Sequence, residues 1–180
     1  MSVHVMVDIE TFGTVPGSVI RSIGACTFKL DAAHVDEEFY RNIDLSSCDA
    51  VGLTYSKETK AWWSGYAAAQ AVFEQDPVAL PVVLGEFSEW FAINKGQYIW
   101  SHGAGFDIVL LEAAYRACGM PHCIPWKFYD ARDTRTVFAM FGFDFKAAPD
   151  RRTIPHHALQ DAVHQAICVQ AALKLRGRTW

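Results

Sequence analysis

Val3, Val5, Val7 and Ile9 fall on one side of an extended segment, and His4, Met6, Asp8 and Glu10 fall on the other. Such period-two alternation predicts a strand with one apolar face. Thr11-Phe12-Gly13-Thr14-Val15-Pro16-Gly17 interrupts it as a loop, and residues 19–30 and 38–43 predict two further strands of a meander. Residues 56–68 and 80–94 predict helices, with Pro77 and Pro81 marking breaks and starts, and Tyr98 to Ser101 predicts a short strand. From Gly105 to Gly119 the apolar positions Phe106, Val109, Leu110, Ala113, Ala114 and Ala117 recur at helical spacing, and Gly119 stops the run. Phe128 to Ala131 predicts another strand, followed by a helix from about Thr134 to Phe141. Pro155 opens a last helix with the stripe Leu159, Ala162, Val163, Ala166, Val169 and Leu173. Three strands, then alternating helices and strands, then a helix predict an α/β sandwich with a mixed sheet whose first three strands are antiparallel. No repeat, low-complexity tract or linker divides the chain, so residues 1–180 are expected to form a single domain.

Composition narrows the class. The chain has 180 residues, of which 51% are hydrophobic and 20% charged, the balance of a folded globular domain. No apolar run approaches the roughly 18 residues of a membrane span, and Met1-Ser2-Val3-His4-Val5 has no basic and apolar leader, so a soluble cytoplasmic protein is expected. The five cysteines are scattered, form no C-x-x-C and predict reduced thiols. Cys118-Gly-Met-Pro-His122-Cys123 has no second half of matching spacing, so it reads as a loop carrying two thiols, not a zinc site. Formal net charge is −4, but residues 1–120 hold 7 Lys/Arg against 15 Asp/Glu, and residues 121–180 hold 9 against 5. Coating of duplex nucleic acid by charge alone is excluded, while a local basic rim facing a polyanion is not.

Asp8 and Glu10, two apart on a strand, project from one face about 6–7 Å apart at the end beside a glycine-containing loop. Two acids on the face shared with Met6 are costly to bury without a cation. Asp107 follows the predicted strand Tyr98–Ser101 and the loop His102-Gly103-Ala104-Gly105, in the first turn of a helix. The two glycines of that loop are too few for a dinucleotide fingerprint. Asp161 lies early in the last helix, in Pro155-His156-His157-Ala158-Leu159-Gln160-Asp161-Ala162. A histidine just ahead of it brings the side chain that titrates near neutrality. Asp133, before the Thr134 helix, reads as an N-cap.

Together these segments resemble the DnaQ-like 3′→5′ exonucleases with the DEDDh signature. Val7-Asp8-Ile9-Glu10-Thr11 matches the first family motif, His102-Gly103-Ala104-Gly105-Phe106-Asp107 the second, and His156-His157-Ala158-Leu159-Gln160-Asp161-Ala162 the third. Asp8 to Thr14, together with Trp62-Trp63, looks most like a phage-type branch that includes small exoribonucleases and phage single-strand exonucleases. The resemblance covers nearly the whole chain. It implies a ribonuclease H-like sandwich with a mixed five-stranded sheet and helices on both faces.

The resemblance also implies a chemistry. Two divalent ions, Mg²⁺ or Mn²⁺, would be held by Asp8, Glu10, Asp107 and Asp161, Asp8 bridging both, and hard oxygen donors suit such cations. His156 would deprotonate the attacking water, releasing nucleoside 5′-monophosphates from the 3′ end of single-stranded RNA or DNA, or of a 3′ overhang. Counting from Asp161 selects His156 as the base, whereas His157 stands i,i+4 from Asp161 and is expected inside the helix as a structural or phosphate-contacting group. Thr11, Phe12, Gly13, Trp62, Trp63, His102 and Arg151 are the candidate substrate contacts, with Phe12 the candidate to stack on the terminal base. One of Trp62 and Trp63 is expected in the core and the other at the cleft, since neighbours on a helix point about 100° apart. Arg132, Arg135, Lys146 and Arg152 are further candidate phosphate contacts. The competing readings are a catalytically silent nucleic-acid-binding module on the same fold and an endonuclease of the wider ribonuclease H-like group, which would cut internally. A homodimer is compatible with the aromatic content, no membrane partner is expected, and the choice of RNA over DNA stays open.

Overall fold

A computed structural model describes residues 2–150 and 152–175. Three antiparallel strands come first: β1 (Val3–Thr11), β2 (Ile20–Phe28) and β3 (Val35–Asp44). They are followed by α1 (Leu45–Ala50), α2 (Lys57–Trp63), α3 (Ala67–Phe73), the two-residue β4 (Val78–Ala79) and α4 (Leu80–Ile93). The chain continues with β5 (Gly96–Ser101), α5 (Asp107–Ala117), β6 (Ala131–Asp133), α6 (Thr134–Phe141) and α7 (Ala158–Lys174). The strands lie in the order β4-β3-β2-β1-β5-β6, with β5 parallel to β1 and β6 parallel to β5. The first three strands are antiparallel as expected, but the sheet has six strands among the described residues, not five. The extra one, β4, pairs only Val78 and Ala79 with the end of β3, too short to leave a periodic trace.

The alternation of β1 sorts the two layers. Val5, Val7 and Ile9 enter a core with Leu84, Phe87 and Phe91 of α4 and Leu111 and Tyr115 of α5. Met6 on the opposite face joins a second core with Phe138 of α6 and Ala162, Ala166 and Val169 of α7. The acids of β1 therefore lie on the face that α7 covers.

Elsewhere the structure departs from the pattern. The predicted helix over 56–68 ends at Trp63, and a new helix starts at Ala67, because Ser64 and Gly65 interrupt it. The buried stripe of α5 is Ile108, Leu111 and Tyr115 with Leu110 and Ala114, whereas Val109 is 39% exposed. The bulkier residues won the core, rotating the predicted stripe by about one position. Phe128 to Asp130 is a turn of 3₁₀ helix, and the strand begins only at Ala131. α7 starts at Ala158, three residues beyond Pro155, so His157 is its N-cap and not an internal residue.

One glycine sets the distance between the layers. Gly24 of β2 faces Asp8 across the ladder, and a Cβ there would lie 2.1 Å from the Leu159 nitrogen and 2.2 Å from the Ala158 carbonyl carbon. Helix α7 thus begins directly on the sheet backbone. Any larger residue would lift the N-terminal turn that carries Asp161 away from β1.

Candidate active site

Four acids from three elements converge. Asp8 and Glu10 come from the end of β1, where the ladder with β2 shifts register between Glu10 and Thr11. Asp107 opens α5 and Asp161 lies in the first turn of α7. Asp107 is docked onto β1, its Oδ1 accepting the Ile9 backbone N–H at 3.2 Å. Asp8 is tied to α7, its Oδ1 accepting from Gln165 Nε2 at 2.8 Å. Gln165 is four residues beyond Asp161 and shares its helix face, a spacing that could have marked it in the sequence.

The acids feel one another. Burial pushes the Asp8 carboxyl well above the usual range, reinforced by Asp107, Glu10 and Asp161. Glu10 is pushed up to about 9 by burial and by the fields of Asp161 and Asp107, and burial pushes Asp107 up to about 7. A pocket that raises carboxyl pKa values in this way is short of positive charge. Oxygen atoms of Glu10 and Asp161 and a ring nitrogen of His156 lie within 4.8 Å of one another.

These shifts make stability depend on pH. Between 4.5, the ordinary value of Glu10, and about 9, its folded value, the folded chain holds a proton that the unfolded chain releases. Rising pH through that window therefore destabilises the fold, and Asp107 adds to the slope up to about 7. Each such group is worth about 1.4 kcal/mol per pH unit, or roughly 3–5 °C in Tm for a chain of this size. Calorimetry in EDTA is expected to show Tm falling from pH 5.5 to 9, and Mn²⁺ is expected to flatten the trend by replacing the protons.

A guanidinium already stands against one of the acids. Arg152 Nη1 donates to Asp161 Oδ1, while its Nε and Nη2 fork onto Asp150 at 2.8 and 2.7 Å. Arg152 pairs with an acid here, and no phosphate is needed to explain its position. A metal ion on Asp161 must compete with it, so Arg152→Gln is expected to tighten Mn²⁺ binding roughly 3- to 10-fold by titration calorimetry. Weaker binding would mean that Arg152 supports the site.

His156 belongs to the loop before α7, in a left-handed conformation with φ 59°. Its ring sits among Trp62, Tyr66 and Trp63, with centroids 4.7, 4.5 and 5.9 Å away. Burial lowers its pKa, so the ring is neutral near pH 7 and able to accept a proton. The loop is fastened to α7 by Gln160, whose Oε1 accepts from the backbone of Thr153 at 2.7 Å and Ile154 at 3.2 Å. His157 turns away and stacks on Tyr40 at 4.4 Å. Gln160 lies within the 156–162 motif, whose spacing marks only the histidines and Asp161, and Tyr66 lies in no motif.

The candidate substrate contacts divide. Trp62 is 46% exposed and Trp63 is buried, donating its indole N–H to the Thr11 carbonyl at 2.8 Å. Phe12 is buried against Tyr55, with Arg21 and Lys60 over its ring, so packing occupies it and Trp62 is left as the open ring beside His156. Thr11 Oγ1 donates to the Gly13 carbonyl, and Gly13 itself is packed so closely that a Cβ would meet Ser18 Oγ at 2.4 Å. Both serve the turn after β1. His102 stacks on Phe145 at 4.5 Å and pairs through Nδ1 with Thr134 Oγ1 at 2.7 Å. Asp133 caps α6 through the Thr136 N–H and also holds the Ala104 N–H. Lys146 is exposed, and Arg151 lies outside the described residues.

Residues 3–173 match the family described as 3′-5′ exoribonuclease Rv2179c-like domain. The chain belongs to that family. No curated protein matches it. Its fold is similar to the nuclease domain of 3′hExo, a DEDDh family member, bound to rAMP: 12% identity, TM-score 0.61, covering 96% of this chain and 92% of that one. It is also similar to zinc-bound E. coli exonuclease I in complex with single-stranded DNA, with 15% identity, TM-score 0.66 and coverage of 98% and 41%. Exonuclease I from Methylocaldum szegediense gives 14% identity, TM-score 0.63 and the same coverages. The chain thus spans about two-fifths of the exonuclease I chains. The fold, a mixed sheet whose first three strands are antiparallel, is that of the DnaQ-like exonucleases. Among the described residues no helix is long and apolar enough to cross a membrane, and all five cysteines are unpaired.

Proposed function

We propose that the chain acts as one domain that removes nucleoside 5′-monophosphates from the 3′ end of single-stranded RNA, using two divalent cations. The observation that carries this reading is that oxygens of Glu10 and Asp161 and a ring nitrogen of His156 lie within 4.8 Å of one another, with Asp8 and Asp107 near enough for the acids to raise one another's pKa values. The donors fit hard cations: four carboxylates, raised pKa values and an arginine drawn in against Asp161. Bound there, Mg²⁺ or Mn²⁺ would neutralise the phosphodiester, lower the pKa of the attacking water and stabilise the leaving 3′-oxygen.

The chain's own groups supply the rest. Asp8 and Asp107 are oriented by Gln165 and the Ile9 N–H before any substrate arrives. His156, neutral and framed by aromatic rings, takes the proton of the nucleophilic water. Trp62 offers its open face to the terminal base. Arg152, once released from Asp161, is free to contact a phosphate.

A 5′-labelled RNA strand incubated with Mn²⁺ is expected to shorten stepwise from its 3′ end with release of 5′-monophosphates, and EDTA is expected to stop it. Matched DNA and duplexed strands are expected to be cut more slowly. Internal fragments at the earliest times would instead indicate an endonuclease. The Arg152–Asp161 contact favours one other reading, a silent binding module that neutralises its acids with its own arginine; RNA bound but never shortened would establish that.

A further inference from the structure

At the far end of β1 from the acids, rings and cations gather along the β6 edge of the sheet. Phe128 is 86% exposed and Tyr129 57%, and their rings meet edge to face at 5.1 Å. Lys127 Nζ lies 5.6 Å from the Tyr129 ring centroid. Arg132 joins this pair to the sheet: Nη1 donates to the carbonyls of Tyr129 and Ala131 at 2.8 and 2.9 Å, and Cζ lies 4.5 Å over the Tyr98 ring. Tyr98 stacks on His4 at 5.0 Å, and the two line a cavity of about 700 Å³ with Trp100, Arg132 and Lys29. Trp100 Nε1 donates to His4 Nδ1 at 2.8 Å, which fixes the floor of this cavity.

We infer that this edge is a second binding site for single-stranded RNA, receiving the segment upstream of the 3′ end that is being hydrolysed. The inference rests on the exonuclease reading for the identity of that strand.

Three features select this occupant. A phenylalanine exposed to this degree beside a half-exposed tyrosine offers π faces on which any base can stack. The cations around them, Lys127, Arg132 and Lys29, would meet phosphates; Asp130 accepts the Lys127 N–H and Asp133 the N–H groups of Ala104 and Thr136, which leaves Asp31 as the opposing acid on the cavity lining. The third is a surface route: Met6, between Asp8 and His4 on β1, is buried beneath α6 and α7, so the strand would pass over the outside of α6, where Met140 of the same cavity is 61% exposed. Arg135, exposed and hydrogen-bonded to the His102 carbonyl at 3.2 Å, stands at the catalytic end of this route.

The test uses the full chain in EDTA, so binding is read without hydrolysis, with 5′-fluorescein RNA strands of three and twelve nucleotides. Phe128→Ala and the double variant Phe128→Ala/Tyr129→Ala are expected to weaken the twelve-mer at least about fivefold and to leave the three-mer unchanged. Both rings are exposed, so folding is expected to be preserved. Equal losses on both strands, or no loss on the longer one, would overturn the inference. So would a wild-type dimer that the variants convert to monomer in sedimentation, since the edge would then be an interface between two copies. If the protein bound RNA in this length-dependent way yet released no nucleotide with Mn²⁺, the exonuclease reading would fail and the binding site would stand.

Discussion

Replacing Asp8 or Asp161 by Asn is expected to cut nucleotide release at least about 10³-fold while raising the melting temperature of the chelated protein. The two effects share a cause. Asn keeps the shape of Asp, and at position 8 its Oδ1 can still accept from Gln165 Nε2, so the connection to α7 survives. At position 8 the change removes a carboxyl that the folded chain must keep protonated beyond the usual carboxylate range, and at position 161 it removes a neighbour whose field raises Glu10. Either way the fold loses less stability as pH rises above 6. An ionisable oxygen at these positions is also what a bound cation needs: losing about 4 kcal/mol of transition-state stabilisation corresponds to roughly 10³ in rate. Asp8→Asn is the cleaner stability test, because Asp161 also carries the Arg152 contact. Release above about 1% of wild type in both variants, or a lower Tm at pH 8 in EDTA for Asp8→Asn, would refute this account of the pocket.

The parts of the molecule legible in the sequence are those where one local pattern suffices. β1 alternates strictly and its acids fall on the even face, so their common direction follows from the pleat alone. α6 runs from Thr134 to Phe141 as expected because Asp133 caps one end and Gly142, with φ 64°, closes the other. Asp107 and Asp161 each fall in the first turn of a helix that the apolar run predicts, although neither start has a side-chain cap and α7 begins three residues beyond Pro155. What the pattern cannot report is the distance between elements. Gly24 lies in a strand with no turn to explain it, and only the approach of α7 reveals why a Cβ is excluded there. The Arg152–Asp161 pair spans nine residues of loop, where charge alone cannot distinguish an acid partner from a phosphate. Phe12 shows the same limit for aromatic rings. In a loop no periodicity says whether a ring faces the core or the solvent, so the ring next to the acids looked like the stacking surface while Trp62 is the open one. The register of α5 was lost for a related reason, since small alanines at helical spacing counted equally with Ile108, Leu111 and Tyr115.

Changing His156 to Asn is expected to reduce turnover 10²–10⁴-fold and to leave Mn²⁺ affinity within a few-fold of wild type. Asn is the informative substitution because the residue has φ 59°, a left-handed conformation that Asn tolerates better than most side chains. The backbone of the loop is thereby kept while the imidazole is removed. The test also separates a base from a ligand. A ring nitrogen of His156 lies within 4.8 Å of Glu10 and Asp161 oxygens, so a histidine that coordinated the cation would lose metal affinity and turnover together. A base loses turnover alone. The pH profile gives a second readout: burial lowers the His156 pKa, and bound cations would push it further the same way, so the acidic limb of kcat should fall below the ordinary imidazole value of 6.5. In the Asn variant that limb should vanish. His157→Asn, which removes a ring stacked on Tyr40 outside the aromatic frame, is expected to keep most of the activity. The opposite ranking of the two variants would transfer the proton-accepting role to His157 and require the loop to rearrange around substrate.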